Sequence, residues 1–297
     1  MRPGLFRPLS CLCALALAAV VASCGGDVVS FDNLAGAAVR TEDVGSARFH
    51  LEGSVTVNHD HAQSFSFSAN GVADWNTWSA SMRGQYIFPS AVQEALGGRP
   101  RFQIIMDGRK GLMMYMRFSF LERELPKAKP WMKLDLQKIG KAQGVNFRDM
   151  VQGRGSDPAQ MLQYIRAVAD VERVGTDLVR RELTTHYHAD VEVDKVVALA
   201  PAGQRKAIQA MLKKLAHTTY PQTYPMEIWI GREDGLVHKI EYTFEFIDRK
   251  NYSVEMTISE ELYDFGTPVT IHPPARKHVY DATGLAMRCF CSRHHRS

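Results

Sequence analysis

The chain has 297 residues, of which 45% are hydrophobic and 23% charged, with a formal net charge of +4. That length supports one large domain or two small ones with a core of ordinary size, and so small a charge excludes nucleic-acid binding driven by overall basicity. Five cysteines, three of them within the first 24 residues, exclude a disulfide framework for the body of the chain.

Arg2 and Arg7 open the chain, and Pro8 to Gly26 carry no charge. The apolar stretch from Leu9 to Ala22 is 14 residues. A spanning helix needs about 20, whereas a secretory apolar core needs roughly 7–15 behind a basic start. The stretch ends in Val21-Ala22-Ser23-Cys24, an aliphatic residue and two small ones before a cysteine, which resembles the bacterial lipobox. The expectation is a signal peptide over 1–23 and a diacylglyceryl group on Cys24. The protein is then exported and anchored to the outer face of the cytoplasmic membrane. Cleavage there leaves 274 residues with a charge of +2. Residues 24–44 read as the lipidated cysteine and a tether, with a small helix or loop near its end.

Regular alternation begins at "SARFHLEGSVTV", where Ala47, Phe49, Leu51, Gly53, Val55 and Val57 share one face. "QSFSFSANGVADW" aligns Phe65, Phe67, Ala69, Gly71 and Ala73, and "NTWSASMRGQYIF" aligns Trp78, Ala80, Met82 and Tyr86. Short polar turns between them predict an antiparallel meander. "RFQIIMD" and "KGLMMYMR" add a hairpin about Gly108-Arg109, and "PWMKLDL" a sixth short strand. One or two short helices are expected within 136–152. Asp157 as N-cap and Pro158 at the first helical position then start a helix, "DPAQMLQYIRAVAD". Strands return at about 170–175 and in "RRELTTHYHADVEV". "PAGQRKAIQAMLKKLAH" is an amphipathic helix whose only charges are Arg205, Lys206, Lys213 and Lys214. Three further strands follow: "PMEIWIGRED", "LVHKIEYTFEFID" and "NYSVEMTISEELYDFG". In the last, Val254, Met256, Ile258 and Leu262 align. Residues 267–297 read as an extended or disordered tail, which leaves one domain over 45–266.

Strands, helices and strands in that order predict an α+β fold built on a wide antiparallel sheet. Nine or ten long strands must twist and curl, giving a concave face lined by Phe, Met, Tyr, Ile and Val and crossed by helices. The small residues Gly53, Ala69, Gly71, Ala73 and Ala80 on that face favour a hollow, and methionine suits a deformable apolar site.

The segments "MMYMRFSFLERELPKAKPWMKLDL", "DPAQMLQYIRAVADVERVG", "TTHYHADVEVDKV" and "GLVHKIEYTFEF", behind the lipobox, resemble the actinobacterial lipoproteins of LolA-like fold, including the mycobacterial LppX/LprG-type lipid carriers. The resemblance covers roughly residues 30–265. It implies an unclosed half-barrel with helices over its concave face, and a cavity that takes the acyl chains of lipids or glycolipids. It fixes a face rather than a motif, so it carries over no ligand-contacting residue. The "RCFCSRHHRS" ending departs from the pattern. On the alternation alone, Phe49, Leu51, Phe65, Phe67, Met114, Met116, Tyr187, Tyr242 and Phe244 are the candidate lining residues.

The chemistry of an enzyme is not visible. G-x-S-x-G and H-E-x-x-H are absent, and "GRGSD" at 153–157 lacks a preceding strand and a P-loop lysine. His186 and His188 share a strand face with Asp190 and Glu192, a metal-capable pattern, but it is the polar, solvated face. His59 and His61 fall in a turn, and Cys289, Cys291, His294 and His295 on the tail. No cofactor and no metal are expected. The reading is a non-enzymatic carrier of lipid or glycolipid acyl chains. The alternative is an envelope interaction or sensor module that binds a partner protein instead.

Overall fold

The computed structural model describes residues 31–58, 63–146, 169–198, 202–215, 223–247 and 253–291. A helix α1 (Phe31–Asp43) leads into strands β1 (Ser46–Asn58), β2 (Gln63–Asp74) and β3 (Ser79–Ile87). After a short helix α2 (Ser90–Ala95) come β4 (Arg101–Asp107), β5 (Met113–Phe118) and β6 (Trp131–Asp135), then α3 (Leu136–Ala142). The second half runs β7 (Ala169–Val179), β8 (Glu182–Glu192), α4 (Val193–Ala198), α5 (Arg205–Leu215), β9 (Thr223–Gly231), β10 (Val237–Ile247) and β11 (Ser253–Tyr263). It ends in β12 (Val279–Asp281) and α6 (Thr283–Cys291). The helix expected at 157–170 and the turn expected at 58–61 lie outside the described residues, apart from 169–170, which open β7, and Asn58, which ends β1.

The twelve strands of the described residues form one open sheet in the order β12-β6-β5-β4-β3-β2-β1-β11-β10-β9-β8-β7. Every pairing is antiparallel except β12 against β6. Two meanders therefore meet at β1, which pairs β2 on one side and β11 on the other. The α+β class and the wide antiparallel sheet are those expected from the alternation, and the sheet is unclosed as the resemblance implied.

The sheet is strongly curved, and the helices show by how much. Nine strand spacings separate β6 from β8, roughly 43 Å in a flat sheet. Yet Val145, just past α3, packs with Val197 of α4 and Ile208 of α5 in one buried cluster. The Asn146 N–H also donates to Gln204 Oε1 at 2.8 Å. Val145 lies ten residues beyond β6 and Val197 five beyond β8, a combined reach of roughly 30 Å. The two flanks of the sheet must therefore curl toward each other for these helices to touch.

Residues 24–44 hold more than a tether. Within α1, Leu34, Ala35, Ala37 and Val39 are buried. Leu34 and Ala37 pack on Tyr187, Ile228, Ile230 and Val237, so α1 covers the inner face of β8–β10. Alanines let the helix approach closely, and polar clips fix it. Thr41 Oγ1 donates to the Ala37 carbonyl at 2.7 Å and accepts the Val237 N–H at 2.8 Å. Arg40 donates to the Gly235 carbonyl. The sequence allowed only a small helix or loop here, because the partner strands lie about 150 to 200 residues away.

The segment after 266 also departs from expectation. Rather than being extended or disordered throughout, it forms β12 and α6, with Ile271, Ala282 and Thr283 buried. The Ala282 N–H donates to the Lys133 carbonyl at 2.9 Å, and the Asp135 N–H to Thr283 Oγ1 at 3.0 Å. Partial burial opposes ionisation of Asp281, but hydrogen bonds from Lys133 and Thr283 outweigh it and hold the carboxyl at about 2. β6 would otherwise be a bare edge, and β12 and α6 cover it.

Candidate functional site

The register defines which side chains face inward. Phe49, Leu51, Gly53, Val55 and Val57 of β1 lie opposite Gly71, Ala69, Phe67, Phe65 and Gln63 of β2. They also lie opposite Leu262, Glu260, Ile258, Met256 and Val254 of β11. The column continues through Met82, Gly84 and Tyr86 to Phe102, Ile104 and Met106, then to Met114, Met116 and Phe118 and on to Met132 and Leu134. On the other side it runs through Ile240, Tyr242 and Phe244 to Met226 and Ile228 and to Tyr187, Ala189 and Val191. The outer face is polar and laced with ion pairs such as Arg180–Glu261 at 2.6 Å and Lys239–Glu241 at 3.1 Å.

The nine lining candidates all fall on the inner face, but they divide. Phe49 and Tyr187 are buried, at 6% and 7% exposure, and belong to the packed part. Leu51, Phe65, Phe67, Met114, Met116, Tyr242 and Phe244 are half-buried. So are Val55, Met82, Ile104, Met132, Met256 and Ile258 beside them. Among the described residues, these large apolar side chains left partly accessible on the inner side of the curved sheet outline a trough.

The small residues do not create that trough. A methyl group on Gly53 would meet the Phe67 ring, and one on Gly71 the Phe49 ring. One on Gly84 would meet a backbone carbonyl, Ala69 and Phe102. These glycines are sockets for rings on neighbouring strands, so Gly53 and Gly71 seat aromatic side chains instead of opening space.

Rings connect the trough to its rim. Phe67 and Tyr86 lie 6.3 Å apart, Tyr86 and Phe102 5.0 Å, and Phe118 and Phe120 5.6 Å. Tyr86 also reaches Phe120 edge-on at 6.4 Å. Phe120 is 45% exposed and stands near α2, where Val92 and Leu96 are also exposed. On the far wall, Phe244 packs between Tyr224 and Tyr242 at 4.8 and 5.2 Å.

One inward position breaks the pattern. Among the described residues from β6 round to β8, Glu260 is the only acidic or basic side chain on the inner column, set between Leu51 and Ile240. Burial pushes its carboxyl above the ordinary range. Tyr242 is raised by burial and then by the neighbouring Glu260 charge. Sequence reasoning passed over Glu260, although the aligned set Val254, Met256, Ile258 and Leu262 leaves a gap at that position.

His186 and His188 lie on the outer face, as expected, and are joined by Glu227 of β9. His186 Nε2 is 2.7 Å and His188 Nδ1 2.6 Å from its two oxygens. His186 also stacks on Trp229 at 4.3 Å. The ring nitrogens are taken up by carboxylates, and among the described residues no group of three or more His, Cys, Asp or Glu is placed to hold a metal. A separate cleft of about 620 Å³ lies between the outer face of β4–β6 and residues 273–281, lined in part by Asp107, Arg109, Lys133 and Arg276. Its charges are partly spent: Arg109 holds Asp107 at 2.8 Å and Lys133 holds Asp281 at 2.6 Å. Cys24, His59, His61 and His294 lie outside the described residues, as do the side chains of Cys289 and Cys291.

No family model matches the sequence. Over 147 residues it is 31% identical to an uncharacterised 31.2 kDa protein from the rplA–rplJ intergenic region of Streptomyces griseus. The match takes in 50% of this chain and 45% of that one, so it spans about half the length of the curated relative. Among solved structures the chain is similar to the Mycobacterium tuberculosis lipoprotein LppX, at 11% identity and a TM-score of 0.42, covering 82% of this chain and 97% of that one. It is also similar to LprF from Mycobacterium bovis, at 13% identity and a TM-score of 0.41, covering 84% and 100%.

Proposed function

We propose that this protein is an exported lipoprotein that shields the acyl chains of a lipid or glycolipid in its concave trough and carries or presents them in the cell envelope. One observation carries the reading: the inner face is apolar across ten strands, yet most of its large side chains keep partial access to solvent. Such a surface is stable when an apolar guest completes it. Each methylene removed from water is worth about 0.8 kcal/mol, so a chain of about fifteen contributes roughly 12 kcal/mol before the costs of binding. The aromatic path from Phe67 to the exposed Phe120 offers a guest a continuous apolar route over the rim. The inner face supplies one carboxyl and, among the described residues, no nucleophile–base pair, which favours binding over catalysis.

The anchor belongs to the same reading. The lipobox at Val21–Cys24 supports acylation of Cys24, and among the described residues no helix is long and apolar enough to cross a membrane. A diacylglyceryl group on Cys24 would hold the trough where lipids enter and leave.

Native mass spectrometry of the chain from Gly25 onward, expressed in a lipid-containing host, tests the carrier. Stoichiometric lipid is the expected result. Protein that emerges empty and takes up neither fluorescent fatty acid nor phospholipid would sink the reading and leave the partner-protein alternative. Mass spectrometry of the native N-terminus tests the anchor separately, since an unmodified Cys24 thiol excludes it.

A further inference from the structure

We infer that Glu260 is the head-group anchor of the trough, and that with the Tyr242 hydroxyl beside it the carboxyl selects lipids whose polar end donates hydrogen bonds and carries no negative charge. This deepens the carrier reading and rests on it.

The position is the argument. Leu51 and Ile240 sit directly opposite Glu260, Ile258 and Leu262 flank it along β11, and Tyr242 is its diagonal neighbour on the same face. A carboxyl set in such a wall is costly unless something pairs with it. Its neighbour Glu261, on the outer face, has Arg180 at 2.6 Å. Among the described residues Glu260 has neither an ion pair nor a hydrogen bond, although no fully enclosed side-chain nitrogen or oxygen there lacks a partner. Its oxygens are therefore not fully enclosed, and they belong to a half-buried side chain on the inward face. A residue serving packing alone would be leucine or isoleucine, as at the neighbouring inward positions.

The chemistry of the guest follows from the acceptor. A carboxylate accepts from hydroxyl and ammonium groups and repels phosphate and carboxylate at close range. Protonated, it gains a donor that an ester carbonyl can accept. Tyr242 adds a second donor and acceptor on the same side. Both forms suit a neutral hydroxylated or amine-bearing head group, and the acyl chains then lie along the Phe and Met columns.

Three probes with one chain separate head group from chain: 1-mono-oleoylglycerol, oleylamine and oleate, each titrated into delipidated Gly25–Ser297 at a pH where oleate is ionised. The first two should bind at least about tenfold more tightly than oleate, and about tenfold is 1.4 kcal/mol. Glu260→Gln should cost oleylamine about tenfold, improve oleate, and leave mono-oleoylglycerol within about threefold. Glu260→Leu should raise the melting temperature of the empty protein while weakening both favoured probes, because it removes an unpaired carboxyl from an apolar wall. Equal binding of all three probes, an unchanged order in Glu260→Gln, or a Glu260→Leu protein that melts earlier or fails to fold overturns the assignment and leaves the carrier intact. Failure of all three probes to bind removes the carrier reading and this inference with it.

Discussion

Glu227 serves two histidines at once, and the consequence is a pH dependence that can be worked out in sign. His188 Nδ1 sits 2.6 Å from one of its oxygens. That hydrogen bond, against some desolvation and with help from the charges of Glu227 and Asp190, raises the His188 pKa above its ordinary value. A raised histidine pKa means that the folded state holds the proton more tightly than the unfolded chain does. The stabilisation is then complete below the unfolded value of about 6.5 and is lost as pH rises through the folded value. The pair is partly exposed, so it is worth at most about 1 kcal/mol. Urea midpoints well below and well above pH 6.5 should differ in that direction, and His188→Gln should remove most of the difference. An unchanged slope in the variant would show that His188 is not its source. The face of this histidine was legible in the sequence because period two places it opposite Tyr187. Its partner was not, because Glu227 lies on another strand some 40 residues away and alternation gives no register between strands. Glu260 shows the opposite limit. Its inward position was readable from the same alternation, but the adjacent pair Glu260-Glu261 looked like a polar strand end.

Elements were legible where their apolar period is carried by their own residues. Strands β1–β6 and β8–β11 and helix α5 follow from alternation or helical spacing, within a residue or two at most ends, whereas β7, expected only at about 170–175, runs on to Val179. Short elements held by distant partners were not. β12 has three residues and exists through its ladder with β6, and α6 is fixed where Thr283 takes the Asp135 N–H. A chain ending in prolines and basic residues carries no trace of either contact. This tail should matter for stability, because it covers the edge of the sheet. Deleting residues 273–297 removes β12, α6 and the buried Ala282 and Thr283. The loss should be about 2 kcal/mol, a fall in melting temperature of roughly 4–8 °C for a domain of this size. Exposed β6 should also promote association, visible as concentration-dependent elution in size-exclusion chromatography. A truncated protein that melts and elutes as the full chain does would show that the tail is only appended.

At the scale of the molecule, one sheet is made to do two jobs. Under α1, around Tyr187, Ile228 and Val237, it closes as a packed core. Along β1–β6 and β10–β11 the same apolar column continues, no described helix covers it as α1 does, and most of its large side chains stay half-open, Phe49, Phe102 and Leu262 being the buried exceptions. The sequence could announce the column but not this division, since a buried and an accessible phenylalanine have the same period. The division can be tested by adding volume on either side of it. Gly71→Ala places a methyl group against Phe49, which is 6% exposed and cannot retreat. Overpacking of this kind should cost about 1–3 kcal/mol in urea unfolding. Val55→Trp adds far more volume, but into the trough between Phe65 and Met256. If that space is open, the empty protein should lose less than about 1 kcal/mol. Bound lipid in native mass spectra should fall steeply at the same time, because the indole occupies the place of the chain. The opposite ranking, with Val55→Trp the more destabilising and Gly71→Ala tolerated, would mean that the upper inner face is a filled core. The proposed carrier function would then lose the hollow on which it depends.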